Sequence, residues 1–269
     1  MRILITLPIL MATVTPALAQ ETSGPKDPRP ERSTQVTVLA GTDYIAGDIG
    51  NGRKYETVSA SAGLAMTSGR FSIAASLPYI STSAPEELII SQGGLFGTPL
   101  LATPGTQTQN VRREGIGDLT VEAGYSLPVA GVEANIGASV KVPTASREKG
   151  LGTGKADYGV SGQLSKRIGS VIPFVGAGYK IVGQPDNFAV HNTVSGSAGG
   201  RVLLGSASSL TAAYSYEQSA VSGIGDNQSV GLGFGTNLSH NVRIGIDGAA
   251  GLSPDAPDAK VGLRIGIGL

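Results

Sequence analysis

Bulky apolar side chains alternate with glycine or arginine through the last nine residues of the chain, 261–269. Because successive strand residues point to opposite faces, this pattern predicts a strand with one apolar face. A soluble domain more often ends in a polar tail, and an open apolar edge promotes aggregation. We therefore expect this strand to be paired in a sheet that closes on itself. Its apolar positions are Val261, Leu263, Ile265, Ile267 and Leu269.

The same alternation recurs along the chain and predicts about twelve strands of about ten residues, the length at which a tilted strand crosses a bilayer. In the first of them, Val36, Val38 and Ala40 have the spacing to share an apolar face with Ile265 and Ile267, which would join the two ends of the sheet. The predicted strands are 35–45, 54–66, 70–81, 116–126, 132–142, 156–166, 171–182, 192–204, 208–219, 228–237, 242–252 and 259–269.

The connections alternate between short turns and longer loops. Those at 67–69 and 205–207 are short, whereas those at 46–53, 82–115 and 143–155 are longer. Short turns on one side and long loops on the other are typical of bacterial outer-membrane barrels, and a soluble sandwich has no reason to sort its loops in this way. The sequence therefore predicts an all-β, transmembrane, antiparallel up-and-down β-barrel of about 12 strands, over residues 34–269.

Within the predicted strands, charged residues occupy alternate positions, and the apolar residues occupy the positions between them. Since charge on the lipid face costs about 2–4 kcal/mol at mid-depth, we expect the charged face to line a wet lumen, which glycines such as Gly231 and Gly233 would keep open. The charges would form either a transverse field or salt-bridged struts. The candidate lumen-lining residues are Asp118, Glu122, Glu133, Lys141, Lys180, Arg201, Arg243, Asp247 and Arg264.

Tyrosines concentrate near the long-loop ends of the predicted strands. Tyrosine is enriched at the membrane–water interface because its ring is apolar and its hydroxyl is polar. We therefore expect an interfacial belt on this side of the barrel. Its predicted members are Tyr44, Tyr55, Tyr79, Tyr158, Tyr179 and Tyr216.

The N-terminal residues 1–20 predict a signal peptide. Arg2 precedes a short apolar run that reaches Val14, and an Ala-Leu-Ala site ends at Ala19. Residues 21–33 are rich in proline and mixed charge, which predicts a disordered periplasmic lead-in or a small plug in the lumen. We expect the exported chain to lie in the outer membrane of a Gram-negative bacterium.

Charge and cysteine content exclude several classes of protein. The 20 Lys and Arg residues balance the 20 Asp and Glu residues, whereas nucleic-acid binding usually requires a basic face. The absence of cysteine excludes disulfide bonds and thiolate metal sites. We expect no nucleic-acid partner, no cofactor and no enzymatic activity.

Motifs rich in glycine, proline and tyrosine follow one another over about the first two thirds of the predicted barrel. They are Gly-Thr-Asp-Tyr-Ile-Ala-Gly-Asp-Ile-Gly at 41–50, Ser-Leu-Pro-Tyr-Ile at 76–80, Gly-Ile-Gly-Asp-Leu at 115–119, Lys-Val-Pro-Thr at 141–144, Gly-Leu-Gly-Thr-Gly-Lys-Ala-Asp-Tyr at 150–158 and Pro-Phe-Val-Gly-Ala-Gly-Tyr at 173–179.

This ordered series resembles the outer-membrane transporter family named for the meta-pathway of phenol degradation. The resemblance implies a channel or transporter for small molecules, often aromatic or otherwise hydrophobic, and does not fix the substrate. Two positions depart from the expected pattern. Residues 143–146 replace an acidic Pro-Thr-Gly turn, and Leu269 stands where outer-membrane barrels usually end in an aromatic residue.

The longest connection, 82–115, contains apolar clusters that should not lie bare in water. One hypothesis is that it folds into the mouth as an apolar constriction that receives hydrophobic solutes. The alternative is an extended hairpin or a flap that packs on itself. The candidate gate residues are Leu88, Ile89, Ile90, Leu95, Phe96, Leu100 and Leu101.

The predicted partners are outer-membrane lipid and lipopolysaccharide, small-molecule solutes, and the barrel assembly machinery that reads the terminal strand. Basic residues in the long loops would pair with lipopolysaccharide phosphates or serve as ordinary solvated charges. They are Arg112, Arg113, Arg147, Lys149 and Lys155.

Two sharper chemical hypotheses each lack a distinctive residue pattern. Residues 150–155 are similar to a phosphate-binding loop, but Lys149 and Ala156 stand where that motif requires glycine and Ser or Thr. His191 with Ser195 would suit a barrel hydrolase, although serine is frequent throughout the chain. A passive channel is the main hypothesis, and a structural or surface-binding barrel is its principal rival.

Overall fold

The computed structural model describes residues 34–49, 53–86, 88–90, 100–102, 109–186 and 189–269. The predicted signal peptide and lead-in lie outside the described residues. No helix long and apolar enough to cross a membrane occurs in the described part of the chain. The strands are β1 (Thr34–Ile49), β2 (Arg53–Ser68), β3 (Phe71–Pro85), β4 (Leu88–Ile90), β5 (Leu100–Ala102), β6 (Asn110–Ile116), β7 (Leu119–Val129), β8 (Val132–Val142), β9 (Asp157–Ser165), β10 (Val171–Ile181), β11 (Thr193–Leu204), β12 (Ser208–Glu217), β13 (Asn227–Asn237), β14 (Val242–Gly251) and β15 (Ala259–Gly268).

Twelve of these strands form a closed antiparallel barrel. Each of β1 to β3 and β7 to β15 pairs with its neighbours in chain order, and β1 also pairs with β15, so that these twelve strands close into a ring. The prediction of an all-β up-and-down barrel is confirmed. The remaining strands, β4, β5 and β6, lie within the long connection between β3 and β7.

The closing pair of strands has the expected register. Val38 lies opposite Ile267 and Ala40 opposite Ile265, and the Leu269 amide donates a hydrogen bond of 2.9 Å to the Val36 carbonyl. The apolar positions of β1 and β15 therefore share the outward face, as the alternation predicts. Pairing of the terminal strand also satisfies backbone groups that would otherwise form an exposed edge.

The turns at one end of the barrel are short, as predicted. Between β7 and β8, Ala130 and Gly131 both have left-handed backbone angles, with φ values of 49° and 80°. Two consecutive positive φ angles are typical of the tight hairpin turn whose twist matches that of the flanking strands. This end of the barrel has little material beyond the strands.

The first three strands are longer than predicted. β1 and β2 each have 16 residues and β3 has 15, so the expected loop over 46–53 is wrong. β1 continues to Ile49 because its inward side chains remain apolar: Ile45 and Ile49 are buried and pack with Tyr55 of β2. The inward face of this extension is thus an apolar surface beyond the predicted membrane strands.

A one-residue shift in register interrupts the wall between β3 and the strand that follows the long connection. Ser76 pairs with Thr120 of β7, but Tyr79 pairs with Ile116 of β6. Two residues of β3 therefore face three residues of its partner, which is the geometry of a β-bulge. The bulge divides the predicted strand 116–126 and re-aims Asp118, whose side chain is fully buried.

Outward side chains are mainly apolar, and tyrosines mark the long-loop end. Tyr44, Tyr79, Tyr158 and Tyr179 are between 42% and 54% exposed, as a belt requires. Tyr55 is wrong as a belt member because it is only 1% exposed and faces inward with the apolar cluster. The inward side chains are mostly small or polar, so the alternation separates two environments.

We predict that valine at Gly199 destabilises the barrel by at least about 1–3 kcal/mol, as overpacking does. A Cβ at this position would overlap the Ala212 carbonyl oxygen and lie 2.8 Å from the Phe174 ring. Gly200 is the matched control because a Cβ there meets nothing within 4 Å. Urea unfolding followed by circular dichroism measures both variants, and equal midpoints for the two would refute the predicted clash.

Candidate functional site: the lumen and its mouth

A buried ionic cluster, which we call the wall node, joins three adjacent strands of the barrel. It consists of Asp118 beside β7, Lys141 of β8 and Asp157 of β9. The Lys141 Nζ lies 2.9 Å from Asp157 Oδ2 and 3.5 Å from Asp118 Oδ2. Only 4% of the lysine side chain and none of the Asp118 side chain is exposed. A buried charge requires such partners because its desolvation is expensive.

The wall node also holds two long-loop connections against the inner wall. The Ala145 amide donates to Asp118 Oδ1 at 3.0 Å, and the Gly183 amide donates to Asp157 Oδ1 at 2.9 Å. Thr153 is buried and lies 3.4 Å from the Lys141 Nζ. Ala145 and Thr153, which follow β8, and Gly183, which follows β10, are therefore held at one side of the mouth. The inward position of Thr153 has no signal in the sequence.

A second group of charges lies where the barrel closes, across β14, β15 and β1. Arg264 donates to the Asp43 carboxylate and, at 3.0 Å, to the Thr42 carbonyl. Lys260 Nζ is 3.9 Å from Asp43 Oδ1, and Asp247 is 5% exposed beside Gly262, where a Cβ would lie 2.8 Å from its carboxylate. Arg264 and Asp247 are among the predicted lumen-lining residues, whereas Asp43 and Lys260 are not.

The other predicted lumen residues form a third set. Lys180 of β10 and Glu217 of β12 are paired at 2.8 Å across β11. Arg201 lies between Ile172 and Thr211, and Glu133 lies opposite Ser165. The remaining two occupy inward positions: Glu122 lies between Ala74 and Ser139, and Arg243 lies between Asn237 and Gly266.

The ion pairs at Lys141, Lys180 and Arg264 join neighbouring strands or strands one apart. These three pairs run along the wall. They are therefore salt-bridged struts, which is one of the two arrangements that the sequence leaves open.

At the long-loop end, Leu88 is completely buried in an apolar cluster with Ile45, Ile49, Tyr55 and Ala84. We call this set the mouth cluster. Its walls come from β1, β2 and β3, and Ile224 packs against it. Ile224 belongs to the connection between β12 and β13, and β12 lies six strands from β3 in either direction round the barrel. Residues from opposite walls thus meet at the mouth.

The next residue of the same segment contacts a different part of the rim. Ile89 packs against Val182 and Val190, which belong to the connection between β10 and β11, together with Ala220 and Val221. β4 therefore reaches from the end of β3 toward the opposite loops.

Backbone pairing places Ile90 of β4 opposite Leu100 of β5, and Ile89 opposite Leu101. β3 also continues to Pro85 in pairing with β6, so the flanks of the connection form the extended hairpin that the sequence leaves open. The candidate gate residues Leu95 and Phe96 lie outside the described residues.

Arg113 holds the corner between β3 and β4, and we call the guanidinium with its three backbone acceptors the Arg113 clamp. Its Nη2 donates to the Leu88 carbonyl at 2.6 Å and to the Pro85 carbonyl at 3.4 Å. Its Nη1 donates to the Glu86 carbonyl at 3.5 Å. Arg112, the preceding residue, is exposed. The two arginines of the predicted basic rim thus differ in environment.

The rest of the predicted basic rim has partners within the protein. Asp186 accepts from Lys155 at 2.9 Å and from Arg147 at 3.0 Å, and these bonds, the one from Lys155 first, lower the pKa of its carboxyl group. Lys149 donates to the Glu114 carbonyl at 3.3 Å. Part of the basic rim is therefore committed to fastening loops to one another.

The structure places the residues of the two chemical hypotheses, which are the segment 150–155 and the two histidines. Leu151, in the segment 150–155 that is similar to a phosphate-binding loop, is completely buried with Ile80 and Ala145. His191 is exposed, and its amide donates to the Ala220 carbonyl at 2.9 Å. His240 lies in the connection between β13 and β14 at the short-turn end.

No family model and no curated protein matches the chain. Its structure is similar to that of an outer membrane channel from Pseudomonas putida, with a TM-score of 0.68 and 14% identity over 92% of this chain and 100% of that one. It is also similar to the beta domain of the Bordetella autotransporter BrkA, with a TM-score of 0.50 and 14% identity over 87% of this chain and 98% of that one. Identities this low show a common fold. The resemblance to the phenol meta-pathway family stays a prediction.

Proposed function

We propose that the chain is an outer-membrane channel for the passive passage of small molecules. The observation that carries this proposal is the closed barrel whose outward face is apolar and whose inward face bears charged and small residues. Such a wall separates lipid from water because every backbone group within it can pair internally. In this proposal the nine predicted charged residues line the lumen.

The proposed location is the bacterial outer membrane, which the chain reaches after cleavage of its signal peptide. The outward tyrosines at the long-loop end support it, since they lie at the depth where an interfacial belt forms. In this location lipid and lipopolysaccharide surround the barrel. The assembly machinery reads β15, and Leu269 follows this strand where an aromatic residue is usual.

The proposed solutes are small and carry an apolar or aromatic part. The support is the mouth cluster, because an apolar surface at the point of admission favours apolar groups over sugars. In this proposal Leu88 and Ile89 belong to a constriction that an incoming solute must displace. The resemblance to the phenol meta-pathway family agrees with this solute class.

Liposome swelling tests both the channel and its solute class. We expect liposomes that contain the chain to swell faster than protein-free liposomes, and to admit aromatic carboxylates faster than neutral sugars of similar size. Swelling that equals the protein-free control would contradict the channel. Equal rates for both solute classes would contradict only the apolar preference.

A structural or surface-binding barrel is the second candidate, and the packed mouth favours it. Leu88 and Ile89 contact both walls, and these contacts would hold the loops of such a barrel in a fixed arrangement. Deletion of residues 87–106 distinguishes the two functions, since a channel should gain conductance when part of its mouth is removed. Unchanged conductance would count against the constriction, and no conductance in either form would favour the structural role.

A further inference from the structure

We propose that Arg113 is the positioning residue that holds the mouth closed, acting through the three carbonyls of the Arg113 clamp. This inference rests on the proposed channel function and assigns its closed state to one side chain. Arg113 acts through the backbone carbonyl of Leu88. It fixes the corner from which Leu88 and Ile89 reach into the mouth.

The clamp satisfies backbone groups at the place where the wall ends. Pro85 is the last residue of β3 and pairs with Asn110, and the chain then turns away from the sheet. Carbonyls in such a turn need donors other than a strand partner. Arg113 supplies them from β6, where it lies opposite Thr82 on the inward face. A guanidinium suits this task because its planar fork presents several donors in fixed directions.

The clamp sets the direction of the chain after β3, and this direction closes the mouth. With its carbonyl held at 2.6 Å from Arg113 Nη2, Leu88 is completely buried in the mouth cluster. The adjacent Ile89 contacts the cluster of Val182 and Val190 on the other side of the mouth. One hydrogen-bonded corner thus sets two apolar contacts on different walls, and loss of the corner releases both.

A second connection braces the guanidinium from behind. Gly150 has a φ of 61°, and a Cβ at this position would overlap Arg113 Nη1. The space for the arginine head therefore depends on glycine in the connection 143–156, which the wall node fastens to the barrel. Gly154 offers a comparison in the same connection. Its φ is 70°, but a Cβ at this position would lie 3.3 Å from its nearest neighbour, the Arg147 side chain.

The chain contains its own control for charge. Arg112 lies opposite Ser83 and is exposed, whereas Arg113 is partly buried and bound to carbonyls. Removing either arginine changes the net charge equally. Only the removal of Arg113 leaves the carbonyls of Pro85, Glu86 and Leu88 without these donors.

Accessibility of residue 84 tests the clamp independently of conduction. The chain has no cysteine, and Ala84 is completely buried in the mouth cluster, so Ala84→Cys keeps Leu88 in place and provides a single site for a membrane-impermeant maleimide. We expect labelling at least about tenfold faster in the Arg113→Ala background than in the Arg112→Ala background, because a charge-assisted hydrogen bond is lost. Gly150→Ala should act like Arg113→Ala, Gly154→Ala should not, and Arg113→Lys should fall between. Circular dichroism selects samples that retain the barrel.

Single-channel recording of the same proteins separates the clamp from the proposed function. Faster labelling with a raised open probability in Arg113→Ala supports both. Faster labelling without conductance in any variant supports the clamp and contradicts the channel. Equal labelling in the Arg113→Ala and Arg112→Ala backgrounds overturns the clamp, whether or not the wild-type chain conducts.

Discussion

Replacing Lys141 with methionine should lower the free energy of unfolding by about 3–5 kcal/mol, the cost of leaving buried charge without its partner. Lys141 is the only cation within 4 Å of the carboxylates of Asp118 and Asp157 among the described residues. Without Lys141, the two buried carboxylates repel each other, with little water to screen their charges. Urea unfolding of the refolded barrel, followed by circular dichroism, measures the change.

Lys155→Met is the matched control for this prediction. Both Lys141 and Lys155 have an aspartate oxygen 2.9 Å from Nζ, but Lys155 is 36% exposed and its partner Asp186 is 59% exposed. An exposed pair contributes little to stability because solvent screens it, so Lys155→Met should change the midpoint little. Equal losses in the two variants would contradict the account of the wall node. The triple variant Asp118→Asn, Lys141→Met, Asp157→Asn should recover part of the loss because it removes all three charges.

Replacing Leu88 with serine should shift the mouth strongly toward its open form. Truncation of a buried leucine typically costs about 2–5 kcal/mol, and the lower value corresponds to about a thirtyfold change in an equilibrium constant. The cost falls on the closed form because Leu88 is buried there by Ile45, Ile49 and Tyr55. We therefore expect the open probability in single-channel recordings to rise.

Leu252→Ser is the control for this second prediction. Leu252 follows β14 at the same end of the barrel and is 59% exposed, so it contributes little to closure. An open probability that rises equally in both variants would indicate a general effect of polarity at the rim. An unchanged value in Leu88→Ser would contradict the placement of Leu88 in the constriction.

The barrel itself could be predicted from the sequence because each strand lies between two different environments. Apolar and polar residues must then alternate, as Val38 and Ala40 do in β1 and Ile265 and Ile267 do in β15, and the alternation fixes which residues share a face. Even the pairing of the two terminal strands followed from this requirement. The short turns were predicted for a related reason, since glycine at positions such as Gly131 permits tight hairpins.

The arrangement of the mouth could not be predicted in the same way. Alternation continues in β1 beyond the predicted end of the strand, and the inward position of Tyr55 depends on contacts with Ala84 and Leu88 that are distant in sequence. The Arg113 clamp depends on backbone carbonyls, which every residue possesses, so residue type gives no sign of it. Arg113 and Arg112 differ only in the face of the strand to which each side chain points, and this face is hard to assign inside a long connection.

The charged residues of the lumen were predicted as a set and not as pairs. Asp118 and Lys141 were identified by their parity, but their proximity depends on the bulge that re-aims Asp118 between β6 and β7. Asp43 was missed although it binds Arg264 across the closing strands. A register must be known before partners can be assigned, because each strand has many polar residues that face the same way.

Single-channel recording of the wild-type chain in planar bilayers tests the central claim most directly. The proposed channel predicts discrete conductance steps from the folded barrel, with long closed intervals that shorten in Leu88→Ser and Arg113→Ala. A correctly folded barrel that produces no steps, in the wild-type chain and in both variants, would contradict the channel function.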